Sequence, residues 1–274
     1  MAPFLTHLMV GEHVWAGLNS HARWAGSTPP DGRYGIFLFG CLAPDVDKFC
    51  DGLEQGTTHF VAKDDGFAWV DRRTRRFLDR PAGFLRAPFP DIAPAEQAFV
   101  LGYLCHVATD EVTGRLARRT AERLQATGRP WPQVDALLTA MDPRLWALAR
   151  DPGEVVAALA AARIPGGTFP FAPADCLQAL HQVVLPQVRD GGGLLPYLGM
   201  LRRHWQWRRH GRVSDARDDP GLERDLETHR RRVEAGLAEA ELLVDELDVE
   251  LFAREAVEHS SRCIEALLAE ENTG

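Results

Sequence analysis

The 274-residue chain contains no run of 18 or more apolar residues, so it offers no segment that would span a bilayer as a helix. Lysine is scarce: Lys48 and Lys63 are the only two among 31 basic residues. Acidic residues number 39, which gives a net charge of −8 and leaves no general basic field of the kind a nucleic-acid-coating surface needs. Nucleic acid is therefore not an expected partner. The five cysteines (Cys41, Cys50, Cys105, Cys176, Cys263) are scattered, odd in number and without a CxxC pair. They read as free thiols of a reducing, cytoplasmic setting. The opening MAPFLTHLMVGEHVW has no basic segment ahead of its apolar residues and interrupts them with His7, Glu12 and His13, so no export signal is expected. What is present, 45% hydrophobic and 26% charged residues, is a globular balance, and at this length a sizeable core needs no staples.

Helical periodicity dominates. Residues 4–25 place Leu5, Leu8, Met9, Val14, Trp15 and Leu18 at three- and four-residue steps. Residues 95–125 carry Ala98, Phe99, Leu101, Leu104, Cys105, Val107, Ala108, Val112 and Leu116 with few polar gaps, the pattern of a central helix surrounded by others. Pro94 suits its first turn. Shorter helices are expected over 132–150 and 153–163, then over 174–189 and 194–209, with a long amphipathic pair over 221–271. Breaker-rich segments at 164–173, 190–196 and 211–221 separate them. Only GIFLFG, residues 35–40, tempts a strand assignment. The expectation is one all-α domain over 1–274, with a core in 1–150 and a helical cover in 151–274 whose long helices would suit a homodimer interface.

Chemistry is sparse and localised. His106 and Asp110 lie four apart on the central helix, so their side chains share one face about 5–6 Å apart at Cβ. Polar groups inside so apolar a helix are costly to bury unless paired, either with each other or around a metal ion. Asp45 follows Pro44 at the end of an apolar run, and His59 stands fourteen residues on, after Thr57-Thr58. With His7, these supply the nitrogen and oxygen ligands a divalent metal recruits. Asp225…His229 and Glu255…His259 share the four-residue spacing, but on long amphipathic helices they read as solvated charge partners. His13 and His21 read as surface or capping groups and His181 as a core histidine.

The order Thr6-His7-Leu8, Gly40…Pro44-Asp45, Thr58-His59 and Leu101-Gly102-Tyr103-Leu104-Cys105-His106…Asp110 resembles the zinc-dependent phospholipase C family, related in fold to the S1/P1-type nucleases. The resemblance covers residues 1–120. It implies an all-helical fold of that type and a metal cluster that hydrolyses phosphate esters. Asp45, His59, His106 and Asp110 would ligate one ion, and His7 with Asp110 would reach a neighbouring one. Asp45 would also be the catalytic base, with Asp47 as a second candidate. The family's later histidine and its HxxxE pair are missing, so the motifs support one ion and not a cluster of three. Zinc comes first among zinc, iron, manganese, nickel and cobalt. Of two basic stretches, Arg72–Arg76 and Arg202–His210, the second interleaves tryptophans; Arg202, Arg203 and Arg208 are its candidates for holding a substrate anion. The resulting expectation is a metal-dependent hydrolase of a phosphate ester or related anionic small molecule. The alternatives are a biosynthetic metalloenzyme of different chemistry and a non-catalytic helical interaction domain with a degenerate site.

Overall fold

A computed structural model describes residues 4–18, 32–61, 72–79, 89–163, 172–211 and 219–270. Among these residues all regular structure is helical. The helices are α1 (Phe4–Leu18), α2 (Arg33–Gly40), α3 (Gln55–Thr58), α4 (Arg73–Asp79), α5 (Pro94–Ala126), α6 (Val134–Trp146), α7 (Pro152–Ala161), α8 (Ala174–Asp190), α9 (Leu194–His210), α10 (Pro220–Asp245) and α11 (Val249–Glu270). A 3₁₀ segment, Ala43–Lys48, follows α2. No described helix is long and apolar enough to cross a membrane.

The segment at 35–40 is helix, not strand. Gly35 and Gly40 weaken it as a helix in isolation, but they let it lie against its neighbours. A Cβ on Gly40 would run into the Phe99 carbonyl, and one on Gly102 into the Phe37 carbonyl, so α2 and α5 cross backbone to backbone. The absence of side chains thus serves close approach here. Phe37, Leu38, Phe39, Phe99 and Leu101 are fully buried around that crossing.

Central helix α5 starts with Pro94 in its first turn, as expected. Residues 97–112 are buried on all sides, and beyond Val112 the helix turns amphipathic. Helices α2 and α11 flank it, and α1 packs on α2, α5, α6 and α11. The C-terminal helix is therefore more than a cover: it lies along α5 and buries Phe252, Ala256, Ile264 and Leu267 in the same apolar cluster as α1 and α2. Buried Glu12 ties α1 to the start of α7 by accepting from the Arg150 and Asp151 amides. Asp151 in turn caps α7 through the Glu154 amide.

The expectation of five free thiols fails at one pair. Cys50 and Cys176, 126 residues apart, form a disulfide that links the segment after Lys48 to α8; Cys41, Cys105 and Cys263 are free. Sequence spacing held no sign of it, because the two cysteines meet only through tertiary packing. Disulfides persist in oxidising compartments, so the cysteines no longer argue for a reducing one. His21 and most of the expected loops at 164–173 and 211–221 lie outside the described residues.

Candidate metal centre

Three helices and one 3₁₀ turn bring the five predicted ligands to one buried point. His7 comes from the first turns of α1, Asp45 from the 3₁₀ turn, His59 from the end of α3, and His106 with Asp110 from the buried half of α5. All five are essentially inaccessible to solvent. His7, His106 and Asp110 offer ligand atoms within 4.8 Å of one another, and so do Asp45, His59 and His106, so His106 belongs to both groups.

The tautomers are set from outside the cluster. His106 Nδ1 lies 2.7 Å from the Cys41 carbonyl oxygen, which can only accept, so the proton sits on Nδ1. Thr58 donates its hydroxyl to the Gln55 carbonyl and lies 2.8 Å from His59 Nδ1, so that nitrogen again is the donor. Tyr103 donates to the Thr58 carbonyl and fixes the turn. Both imidazoles therefore direct an unprotonated Nε2 inward, as a histidine does when a hydrogen bond at its other nitrogen aims it at a metal. The gap between residues 41 and 106 explains why sequence reading named the candidate ligands and not what orients them.

Inside the cluster the polar atoms do not satisfy one another. His59 Nε2 is 3.5 Å from Asp45 Oδ1 and 3.8 Å from Asp110 Oδ2. His106 Nε2 is 3.9 Å from Asp110 Oδ2, and His7 Nε2 is 3.7 Å from Asp110 Oδ1. These separations are at or beyond hydrogen-bond range. Two ligands bound at about 2.0–2.1 Å in a tetrahedral site stand roughly 3.3–3.5 Å apart, so a small contraction would close the shell. Both ring nitrogens of His7, His59 Nε2, His106 Nε2 and Asp45 Oδ2 are buried with no hydrogen-bond partner among the described residues. Buried polar atoms are rarely left this way, and a group of them facing one point fits a cation.

Burial pushes the His7 imidazole down to about 4, against the pull of Asp110 and Asp45. It also pushes His106 well below its ordinary range, with His7 adding to the effect. Burial alone would raise both aspartates. For Asp45 the Lys48 ammonium and the contact with His59 outweigh it, and for Asp110 nearby positive charge, the Arg73 guanidinium included, does; both carboxyls are held well below the usual range. Neutral imidazoles beside ionised carboxylates are the protonation states a metal requires.

Two cations were missed from the sequence. Lys48 Nζ lies 2.6 Å from Asp45 Oδ1, and Arg73 Nη1 lies 2.5 Å from Asp110 Oδ2. Lys48 was legible as one of two lysines and three residues from Asp45. Arg73 was not, because it stands in an arginine run that reads as a solvated face. In the fold Arg73 turns inward to Asp110, and neighbouring Thr74 gives its amide and hydroxyl to Glu111.

The second basic stretch does not assemble around the ligands. Arg202 pairs with Glu223, Arg208 with Asp51, and Arg203 donates to the Val183 carbonyl. The same helix reaches the segment after Asp45, where His204 Nε2 meets the Lys48 carbonyl and Trp207 donates to the Phe49 carbonyl. Glu255 and His259 are not partners of each other either. Glu255 pairs with Arg119, and His259 crosses to Glu111 at 2.7 Å, so the expected solvated pair is split between two residues of α5. Asp225 pairs with Arg209, and His229 meets the Tyr197 hydroxyl. His181 is the satisfied histidine expected, bonded to the Leu159 carbonyl. No protein-family model, curated protein or solved structure matches this chain, so the site's own geometry carries the functional argument.

Proposed function

We propose that the chain is a metal-dependent hydrolase of a phosphate ester or related anionic small molecule. The observation that carries this is the set of inward-facing, partnerless ligand atoms on His7, His59, His106 and Asp45. The motif order shared with the zinc-dependent phospholipase C family supports it. Asp45, His59, His106 and Asp110 would hold one ion, zinc before iron, manganese, nickel or cobalt. When bound, such an ion lowers the pKa of a water and polarises a phosphoryl oxygen.

The remaining work falls to the chain. Arg73 fixes the Asp110 carboxylate and brings a buried positive charge where a second ion would otherwise be needed. His7, stacked on His106, then serves to hold that ring and to offer a further nitrogen. Lys48 fixes Asp45 and, being a quarter exposed, brings positive charge to the edge where an anionic substrate arrives. Asp45 is tied to Lys48 and held strongly ionised, which suits a ligand and not a proton acceptor. Asp47 is the better base: burial and the Asp45 charge push its carboxyl up, and its Oδ1 is buried without a partner.

A second reading rests on the same two ion pairs. Lys48 and Arg73 already compensate the two carboxylates, as they would in a purely structural polar core. Elemental analysis of protein prepared without chelator separates the two. About one transition metal per chain, with metal-dependent turnover in a panel of phosphomonoesters and diesters, supports the hydrolase. Metal-free protein that neither gains activity nor stability on metal addition supports the structural core.

A further inference from the structure

The ligand atoms fall into two overlapping trios, Asp45 with His59 and His106, and His7 with His106 and Asp110. Each trio carries one carboxylate, and each carboxylate already has a cation beside it. The two cations differ in how they can respond to a metal ion. Lys48 stands three residues from Asp45 in the same 3₁₀ segment, with its side chain 27% exposed. An ammonium group is a strongly hydrated charge on a flexible stem, so it can turn out to water as an ion takes Asp45.

Arg73 is placed differently. It is the first residue of α4, its side chain is only 4% exposed, and its Nη1 lies 2.5 Å from Asp110 Oδ2. A guanidinium carries its charge permanently, and one buried on a carboxylate has little access to water. With Lys48 turned out and the imidazoles neutral, two carboxylates and one guanidinium leave a single negative charge in the site. One divalent ion is met by it. A second ion, between His7 Nε2 and Asp110 Oδ1, would be added to a buried site that is already positive, and on the carboxylate Arg73 already holds.

Arg73 is also held in place through its neighbour. Arg73 and Thr74 of α4 meet Asp110 and Glu111 of α5 in step. The Thr74 amide belongs to the first turn of α4, where amides find no partner inside their own helix. It donates to Glu111 Oε1 at 2.8 Å, and the Thr74 hydroxyl lies 3.0 Å from both carboxylate oxygens. His259 of α11 meets Glu111 Oε2 at 2.7 Å. One turn further along α4, buried Phe77 packs on Phe60 and Tyr103. A buried carboxylate outside both trios therefore fixes the backbone from which Arg73 reaches Asp110.

We infer that Arg73 sets the number of ions: it excludes a second divalent ion from His7 and Asp110 and leaves the protein with one, seated on the side of Asp45, His59 and His106, where the competing cation can leave. Glu111 is the positioning residue that keeps Arg73 in that place. The inference rests on the metal reading above and adds to it which trio is filled and what prevents the other from filling.

The test is the metal content of the full chain after loading with zinc and gel filtration, read by elemental analysis. Wild-type protein should hold about one ion, and Arg73→Gln, which keeps a neutral hydrogen-bond donor for Asp110, about two. Arg73→Lys keeps the charge and should stay at one. The same series loaded with manganese should give a spin-coupled paramagnetic resonance spectrum in Arg73→Gln alone of these three, because two ions sharing a site stand only about 3.5–4 Å apart. Glu111→Ala should also admit the second ion, whereas Glu111→Gln, which still accepts from Thr74, should restore a single one. One ion in Arg73→Gln, or two in the wild type or in Arg73→Lys, would overturn the proposal and leave the hydrolase reading standing. One ion in Glu111→Ala beside two in Arg73→Gln would strike Glu111 from the assignment. If wild-type protein takes no ion, the hydrolase reading fails instead; an ion bound by Arg73→Gln would then still uphold the exclusion, and none would end it too. Should Arg73→Gln not fold without metal, zinc supplied during refolding should restore its helical circular dichroism together with two ions, and failure to recover overturns the proposal.

Discussion

The imidazole of His7 lies flat against that of His106, with ring centroids 3.7 Å apart and planes 7° from parallel. Two neutral rings stack this way without penalty, whereas two imidazolium ions buried at that distance would repel strongly. The stack therefore depends on both rings remaining unprotonated, the state that burial enforces. It also joins α1 to α5 at the point where the ligand groups overlap.

An acid limit on stability follows. The folded-state value of His7, about 4, is below its ordinary 6.5, so the unfolded chain takes up the proton first. Stability is then fully present above pH ~6.5 and falls as the pH drops from there through ~4. Urea midpoints of chelator-treated His259→Gln protein, which lacks the alkaline effect of that imidazole, should be level between pH 7 and 8 and decline steadily from pH 6 to 4.5. A midpoint unchanged across the lower interval would contradict neutral stacked rings.

His259 acts in the opposite window. Burial pulls its imidazole down, but contacts with Cys263 and Glu111 raise it to about 9. A value raised above 6.5 contributes stability that is complete below pH ~6.5 and is lost as pH rises through ~9. His259→Gln should remove the alkaline loss between pH 7.5 and 9.5 while leaving the acid decline in place. Proton resonances of the His259 ring titrating near 6.5 would refute the assignment.

Ligand and base should separate by substitution. His106→Ala and Asp45→Ala should abolish retention of metal through gel filtration. Asp47→Asn should retain it while turnover falls by about 10²–10⁴-fold, the usual contribution of a general base. Full activity in Asp47→Asn would return the proton to another group.

The α2–α5 crossing should tolerate no side chain. Gly102→Ala would put a methyl group into the Phe37 carbonyl and should destabilise by about 1–3 kcal/mol, read as a lower thermal midpoint. Because Gly102 sits one turn before His106, the substitution should also weaken metal retention.

The disulfide gives a direct chemical prediction. Alkylation of the unreduced, denatured chain should modify three of five cysteines, leaving Cys50 and Cys176 unlabelled. Cys50→Ser should lower stability by about 2–4 kcal/mol. Labelling of all five would restore the free-thiol expectation.

Much of the architecture was readable from local pattern. The apolar run of 95–125 matches α5 within a residue at each end, since a helix buried all round needs no partner to be recognised. At 35–40 a short apolar run with no period of its own tempted a strand, yet the all-α expectation holds there, and glycines that weaken a helix in isolation instead permit its closest crossing. His106 and Asp110 were legible because four-residue spacing fixes a shared face.

By itself, then, the amino-acid sequence determined a helical chain and the residue types from which a cation site could be made. Only the tertiary structure decided that His7, Asp45 and His59 meet that face, and that Arg73 and Lys48 stand on the carboxylates. The reason is physical. Periodicity reports which side of an element is buried, but partners 37 residues apart, like Arg73 and Asp110, or 148 apart, like Glu111 and His259, are selected by how helices cross, and that is set by packing across the whole core.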